Sequence, residues 1–127
     1  MKRLFLLFNL SFALMFLTVA CNQQPEIDIS KAVDRTEEYF RELNEVSTTA
    51  AVYSEEQVKF RLMVEKHPSV EEATAMFNTI IDKLEKNSNT PEFWNYYNGN
   101  FDIKSYDEGV IFEATKVIGQ ELKVTQK

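Results

Sequence analysis

A chain of 127 residues with 44% hydrophobic residues suits one domain of common size, and we expect no second domain. Its 20 acidic and 14 basic side chains give a net charge of −6, which argues against nucleic acid and against electrostatic docking onto anionic lipid. One cysteine and one histidine exclude an internal disulfide and the usual zinc ligand sets, so a packed core must stabilise the fold.

The beginning of the chain predicts an export signal. Two basic residues precede an uncharged run from Leu4 to Ala20, and Cys21 follows that run directly. The order of a charged region, an apolar region and a small residue is typical of a secretory signal. The run has about 17 residues and polar interruptions, whereas a spanning helix needs roughly 20 mostly apolar ones. We therefore predict a cleaved signal over residues 1–20 rather than a permanent transmembrane helix.

The end of this run resembles the lipobox, the processing site of bacterial lipoprotein precursors. Ala20 stands directly before Cys21, with Leu17 and Thr18 further upstream. The resemblance implies cleavage before Cys21 and acylation of its thiol and its new amino group. Two or three hydrocarbon chains would anchor the protein to the cell membrane on its extracytoplasmic side, since each buried methylene contributes about 0.8 kcal/mol. The resemblance implies nothing about the domain that follows.

A polar segment connects this anchor to the rest of the chain. Residues 22–28 contain a proline and no apolar periodicity, which predicts a tether of at most roughly 25 Å. The chain thus divides into a lipoprotein signal at 1–20, a lipidated cysteine with its tether at 21–28, and a single domain at 29–127. Without the signal, 12 basic and 20 acidic side chains leave a net charge of −8, so membrane attachment must come from the lipid.

Two amphipathic helices are predicted in the domain. The first covers residues 30–44, with Ser30 as its N-cap and a helical spacing of Ile29, Val33, Thr36, Phe40 and Leu43, while charged residues fill the other side. The second is the clearest helix of the chain and covers residues 70–86. Ser69 and Glu72 form a capping-box pattern at its start, and the apolar positions are Val70, Ala73, Phe77, Ile80, Ile81 and Leu84.

A β-hairpin is predicted between these helices, over residues 46–65. Apolar residues alternate with mostly charged ones over 58–65, and a period of two is typical of a strand with one buried face. The segment 46–53, rich in threonine, valine and alanine, supplies the partner strand. The alternative is a helix capped by Ser54, because Gln57 three residues later completes a capping-box pattern.

The last third of the chain predicts a short helix followed by strands. Pro91 stands at the first position of a helix that runs to Tyr97 and is closed by Asn98 and Gly99. The three glycines lie ten residues apart and punctuate three segments that we predict as successive strands: Phe101–Tyr106, Val110–Val117 and Glu121–Thr125.

These elements together predict an α+β fold. The order is helix, two strands, helix, short helix and then two or three strands. Such an order suits an antiparallel sheet of four to five strands with the two main helices packed on one face.

The residues offer little for catalysis, and we predict no catalytic, metal-binding or cofactor-binding residue. Cys21 is to be acylated, and His67 lies beside Pro68 in a predicted turn, so neither a Cys–His nor a Ser–His arrangement is favoured. Paired acids stand mostly at helix starts or on helix faces, where acids are expected at the surface. Three isolated glycines cannot build a phosphate-binding loop.

The strongest indication of a binding site is a cluster of five aromatic residues within nine positions: Phe93, Trp94, Tyr96, Tyr97 and Phe101. Aromatic residues with polar groups are common at binding hot spots, so Trp94, Tyr96 and Tyr97 are candidate partner-binding residues. The alternative, which we favour, is that the short helix closes the core. In that case Trp94 is substantially buried, and Tyr96 or Tyr97 is the more exposed ring.

For function, the sequence favours a non-enzymatic, membrane-anchored interaction domain at the cell envelope that meets a protein partner or an envelope component. Small lipoproteins that exclude redundant conjugation, or that belong to envelope machines, offer an analogy only. The alternative is a carboxylate-dependent hydrolase of an envelope polymer, which requires a deep cleft with two acids, one of them with a raised pKa.

Overall fold

The structure is a computed structural model and describes residues 26–127. The predicted signal, Cys21 and most of the predicted tether lie outside the described residues. Helix α1 covers Ile29–Arg41; the predicted helix is present but ends three residues before the predicted end at residue 44, so Leu43 lies outside it. Its N-cap is Asp28, whose carboxylate accepts a hydrogen bond from the Lys31 N–H at 3.1 Å. The prediction of Ser30 as the cap is wrong because the helix begins one residue earlier, at Ile29.

Strands β1 (Thr48–Tyr53) and β2 (Gln57–Val64) form the predicted hairpin. Side chains of β2 alternate between buried and exposed or half-buried, which confirms the period of two. Ser54 does not cap a helix; its N–H donates a hydrogen bond to the Gln57 carbonyl at 2.8 Å and closes the turn. The strand pattern prevails here because four apolar side chains can be buried on one face only by an extended chain.

Helix α2 covers Val70–Ser88 and begins with the predicted capping box. The Ser69 hydroxyl accepts from the Glu72 N–H at 3.1 Å, and the Glu72 carboxylate accepts from the Ser69 N–H at 3.3 Å. The helix ends at Asn89, which adopts a left-handed conformation with φ of 56°. Asparagine tolerates this conformation better than most residues, so it stops the helix.

A single 3₁₀ turn at Phe93–Asn95 replaces the predicted short helix, and β3 (Asn98–Ser105) follows it. Gly99 does not terminate a helix but lies within β3, where a Cβ atom would collide with the ring of Phe101. The ring occupies the space above the glycine, so the glycine serves packing rather than a turn.

Strands β4 (Gly109–Lys116) and β5 (Lys123–Gln126) complete the chain. Gly109 and Gly119 both have φ of 79°, the left-handed region that glycine adopts without strain, so the turns predicted there are confirmed.

The five strands form one sheet in the order β1-β2-β3-β4-β5. The α+β class and the order of elements are confirmed. The sheet is mixed rather than wholly antiparallel, because β2 and β3 pair in parallel. Helix α2 carries the chain from the end of β2 back to the opposite end of the sheet, and a crossover of this kind makes the next strand parallel.

Both helices cover the same face of the sheet. Phe40 of α1 meets Phe60 of β2 with 5.9 Å between ring centroids, and Phe77 of α2 stacks on Phe101 of β3 at 6.5 Å. Phe60 and Phe101 are register partners on neighbouring strands, so they point to one face. The residues between them form a single hydrophobic core. Within residues 26–127, no helix combines the length and the apolar character needed to cross a membrane.

Candidate functional site

The predicted aromatic cluster lies mainly in the core. Trp94 is 8% exposed and Tyr97 6%, while Tyr96 is half-buried. The indole N–H of Trp94 donates to the Ile81 carbonyl at 3.1 Å, which satisfies its one polar group. The prediction that Trp94 is buried is confirmed, and Tyr96 is the more exposed of the two tyrosines. In the isolated domain this cluster therefore closes the core beside α2.

The rings are held by one another. Phe93 stacks face to face on Tyr97 with 4.7 Å between centroids and 4° between planes. Trp94 meets Phe93 edge-on at 4.7 Å and Phe101 edge-on at 6.0 Å. Burial raises the pKa of the Tyr97 hydroxyl, with a smaller contribution from the charge of Glu55. The packing leaves Tyr96 as the ring of this group that is most accessible to a partner.

The face of the sheet that the helices do not cover is the second candidate site, and we call it the open face. Two rows of register partners run across all five strands on this face. The central row consists of Ala50, Arg61, Asp102, Glu113 and Thr125. The neighbouring row consists of Val52, Lys59, Asn100, Thr115 and Lys123.

Two ion pairs occupy the central row. The guanidinium of Arg61 donates to both carboxylate oxygens of Asp102, at 2.7 and 2.9 Å, and this hydrogen bonding raises the pKa of Arg61. The amine of Lys127 lies 3.2 Å from the Glu113 carboxylate. The guanidinium of Arg61 and the carboxylate of Asp102 have a fixed relative orientation, because a bidentate pair restricts the angle as well as the distance.

Three lysines on the open face have no such partner. Lys59 and Lys123 lie at either side of the neighbouring row, and Lys104 lies on β3 beyond the central row. None of the three amines forms an ion pair with a carboxylate of residues 26–127. Their charges are therefore free to meet an anionic partner.

The open face also contains a concavity of about 600 Å³. It lies over β2, β3 and β4, and its lining includes both members of the Arg61–Asp102 pair together with Lys59 and Thr115. The small side chain of Ala50 on β1 leaves space at one side. The site is thus an open depression with charged and polar walls.

The sequence contained a partial signal for this site. Alternation along β2 predicts that Lys59 and Arg61 point away from the core, and alternation along β3 does the same for Asn100 and Asp102. That Arg61 lies opposite Asp102 depends on the pairing of β2 with β3, residues 41 positions apart. Local patterns do not report such a pairing, so the sequence analysis missed the site.

A smaller polar cluster joins the loop after β2 to the turn between β3 and β4. The Nε2 atom of His67 lies 2.9 Å from the Asp107 carboxylate, and its Nδ1 atom lies 3.9 Å from Glu108. These three side chains are close enough to one another to be considered as metal ligands. The two acids, however, face opposite nitrogens of the ring, and one ion cannot bind both nitrogens. We interpret the cluster as a surface ion pair that ties the two loops together.

The contribution of this ion pair to the stability of the folded protein depends on pH. The hydrogen bond with Asp107 raises the pKa of His67 above 6.5, and the hydrogen bonds with His67 and Ser105 lower the pKa of Asp107 to about 2. The stabilisation that comes from protonated His67 is fully present below pH 6.5, and it is lost as the pH rises through the raised pKa of His67. The stabilisation that comes from ionised Asp107 is fully present above pH 3.8, and it is lost as the pH falls towards 2.

We expect Asp107→Asn to lower the pKa of His67 towards 6.5, because the amide carries no charge. The chain has one histidine, so an NMR titration of the imidazole signals measures this pKa without ambiguity. Asp34→Asn, an exposed acid on α1, is the matched control and should leave the titration unchanged. Equal titration of His67 in the parent and in Asp107→Asn would contradict the ion pair.

No protein-family model and no curated protein matches this chain.

Proposed function

We propose that this chain is a lipid-anchored, non-enzymatic binding protein of the cell envelope, and that the open face of its sheet is the binding surface. The observation that carries the proposal is the arrangement on this face: a fixed ion pair at the floor of a depression, with unpaired lysines around it. The lipobox resemblance at Cys21 supports the anchor, which is expected to hold the protein on the extracytoplasmic side of the membrane.

At the open face, the alternative, a carboxylate-dependent hydrolase, would use Asp102 and Glu113. These two acids are register partners on neighbouring strands. Arg61 donates hydrogen bonds to both carboxylate oxygens of Asp102, and Lys127 forms an ion pair with Glu113. A general acid must hold a proton and deliver it to a leaving group, and a carboxylate clamped by a guanidinium is poorly suited to that role. At this face the contacts therefore favour binding over catalysis.

The anchor is tested by Cys21→Ser in the full-length protein. We expect metabolic labelling with a fatty-acid analogue to mark the parent strongly and the variant not at all, because serine cannot form the thioether. Ser11→Ala, within the apolar run, is the control and should be labelled like the parent. Labelling of the Cys21→Ser protein, or none in the parent, would contradict the lipid anchor.

The binding surface is tested by photo-crosslinking in intact cells. A photoreactive residue at Thr115 lies on the open face, and one at Asn78 lies on the exposed side of α2. We expect discrete adducts from position 115 and none, or only diffuse ones, from position 78. Equal adducts at both positions, or adducts from position 78 alone, would show that the open face is not the binding surface.

A further inference from the structure

The open face carries positive charge in a protein that is otherwise strongly acidic. The charged side chains that the strands place on this face, together with Lys127, are two acids and five bases, a net charge of +3: Asp102 and Glu113, and Lys59, Arg61, Lys104, Lys123 and Lys127. The other described residues contain 7 basic and 18 acidic side chains, a net charge of −11. The charges of this domain are thus segregated between its surfaces, and an anionic partner is attracted to the open face and repelled elsewhere.

The spacing of the unpaired lysines indicates the size of that partner. Lys59 and Lys123 lie in one row three strands apart, a separation of about 14 Å at about 4.8 Å per strand. Lys104 lies four residues beyond Asn100 on β3, or about 13 Å along the strand. A single phosphate or carboxylate cannot meet amines so far apart. The partner must present several anionic groups along an extended length.

The remaining side chains indicate its chemistry. Between the lysines lie the amide of Asn100 and the hydroxyl of Thr115, and neither of the two rows contains an aromatic ring. Hot spots for protein partners are rich in tryptophan and tyrosine, and single-stranded nucleic acids are bound by stacking on aromatic rings. Charge and hydrogen bonding without stacking suit a polymer that bears both anionic groups and hydroxyls.

The position of α1, the first described helix, supports the same partner class. The chain enters the domain at α1, and α1 packs on the covered face of the sheet. The described chain therefore begins in the helix layer, and the open face belongs to the opposite layer. Docking on a bilayer also relies on apolar side chains that enter the lipid, whereas the two rows carry only Val52 as an exposed branched apolar residue.

We propose that the open face binds an anionic polysaccharide, a chain of sugars or polyols with carboxylate or phosphate groups, through Lys59, Lys104 and Lys123. This inference rests on the proposed function, since it names the partner class of the same surface. The Arg61–Asp102 pair keeps the floor of the depression neutral and fixed, and the three lysines supply the attraction. Binding is weak for one repeat unit and increases with the number of units, as expected for several separate contacts.

The test uses the full-length lipoprotein in nanodiscs of uncharged phosphatidylcholine, with alginate as the carboxylated polysaccharide. Binding is measured by biolayer interferometry at low and at physiological salt. The test variant is Lys59→Gln/Lys104→Gln/Lys123→Gln. The matched control is Lys31→Gln/Lys66→Gln/Lys86→Gln, which makes the same change in net charge at exposed positions outside the open face. Circular dichroism verifies that both variants are folded.

We expect the test variant to weaken alginate binding by about tenfold, since three exposed charge contacts each contribute modestly. The control should change it by less than about twofold, and salt should weaken binding of the parent because the contacts are screened. Neutral dextran should not bind. Equal losses in the two variants, or no binding of alginate by the parent, would overturn the proposal.

Two further ligands separate the alternatives. Polyglutamate carries the carboxylates without sugar hydroxyls, and equal or tighter binding of it would overturn the polysaccharide assignment in favour of an acidic protein. Binding to vesicles containing phosphatidylglycerol, lost in the test variant, would overturn it in favour of lipid. If alginate fails while the photoreactive residue at position 115 still gives discrete adducts, this inference fails and the proposed function stands. If the parent neither binds alginate nor gives discrete adducts at position 115, both this inference and the proposed function are contradicted.

Discussion

Trp94→Ala is expected to lower the free energy of unfolding by about 3 to 5 kcal/mol, the usual cost of removing a buried aromatic ring. The indole is 8% exposed, and it contacts the rings of Phe93 and Phe101 edge-on. Its removal leaves a cavity beside α2 that neighbouring rings cannot easily fill, because Phe93 is already stacked on Tyr97. A small domain has a total stability of roughly 5 to 15 kcal/mol, so the loss is large.

Denaturant titration of residues 26–127 measures this effect, since these residues contain one complete hydrophobic core. Tyr106→Ala is the control; its ring is 62% exposed, and the change should stay within about 0.5 kcal/mol. Fluorescence gives an independent measurement, because Trp94 is the only tryptophan. A buried indole emits at short wavelength and resists acrylamide quenching. Red-shifted and freely quenched emission from the folded domain would contradict the burial of Trp94.

Phe77→Ala is expected to cost about 3 to 5 kcal/mol as well, because its side chain is fully buried at the centre of α2. The ring stacks on Phe101 of β3, the strand that returns in parallel to β2 after the crossover. The contact therefore joins the crossover helix to the strand that follows it. Ile80→Ala, one turn later on the same face, should cost about 2 to 5 kcal/mol for the same reason.

The matched control is Asn78→Ala, the exposed neighbour of Phe77 on α2, for which we expect a change within about 0.5 kcal/mol. Phe77→Leu keeps most of the volume and should cost less than Phe77→Ala. The same denaturant titration measures all of these variants. Losses below about 1 kcal/mol for both Phe77→Ala and Ile80→Ala would mean that this face of α2 does not pack on the sheet.

The acidic and basic side chains are distributed unevenly over the surface of the domain. A net charge of −8 after the predicted signal argues against an anionic partner when the charge is treated as uniform. The structure places five bases and two acids on the open face and most of the acids elsewhere. Screening limits the reach of each charge to about 8 Å at physiological salt, so a partner at the open face is affected mainly by the charges there.

Local patterns in the sequence determined the elements of this fold because each depends on neighbours within a few residues. The capping box at Ser69 and the alternation along β2 are of this kind, and the structure contains both. Two misplaced details, the cap at Ser30 and the helix end at Gly99, have different causes. Asp28 caps α1 through a local hydrogen bond instead of Ser30, whereas Gly99 lies within β3. The ring of Phe101 occupies the space above Gly99, where any larger residue would collide with it.

The tertiary structure alone decided which elements lie side by side, and with them the site. The parallel pairing of β2 and β3 brings Arg61 to Asp102 across 41 residues of sequence, and no local period encodes that partnership. The same pairing leaves the unpaired lysines on one face while both helices cover the other. The alternation of residue types along β2 and β3 is a property of the sequence, and it suits strands in which Lys59 and Lys104 point away from the core. Only the assembled sheet placed the two lysines on one surface, because strands share a face through their register and not through their order in the chain.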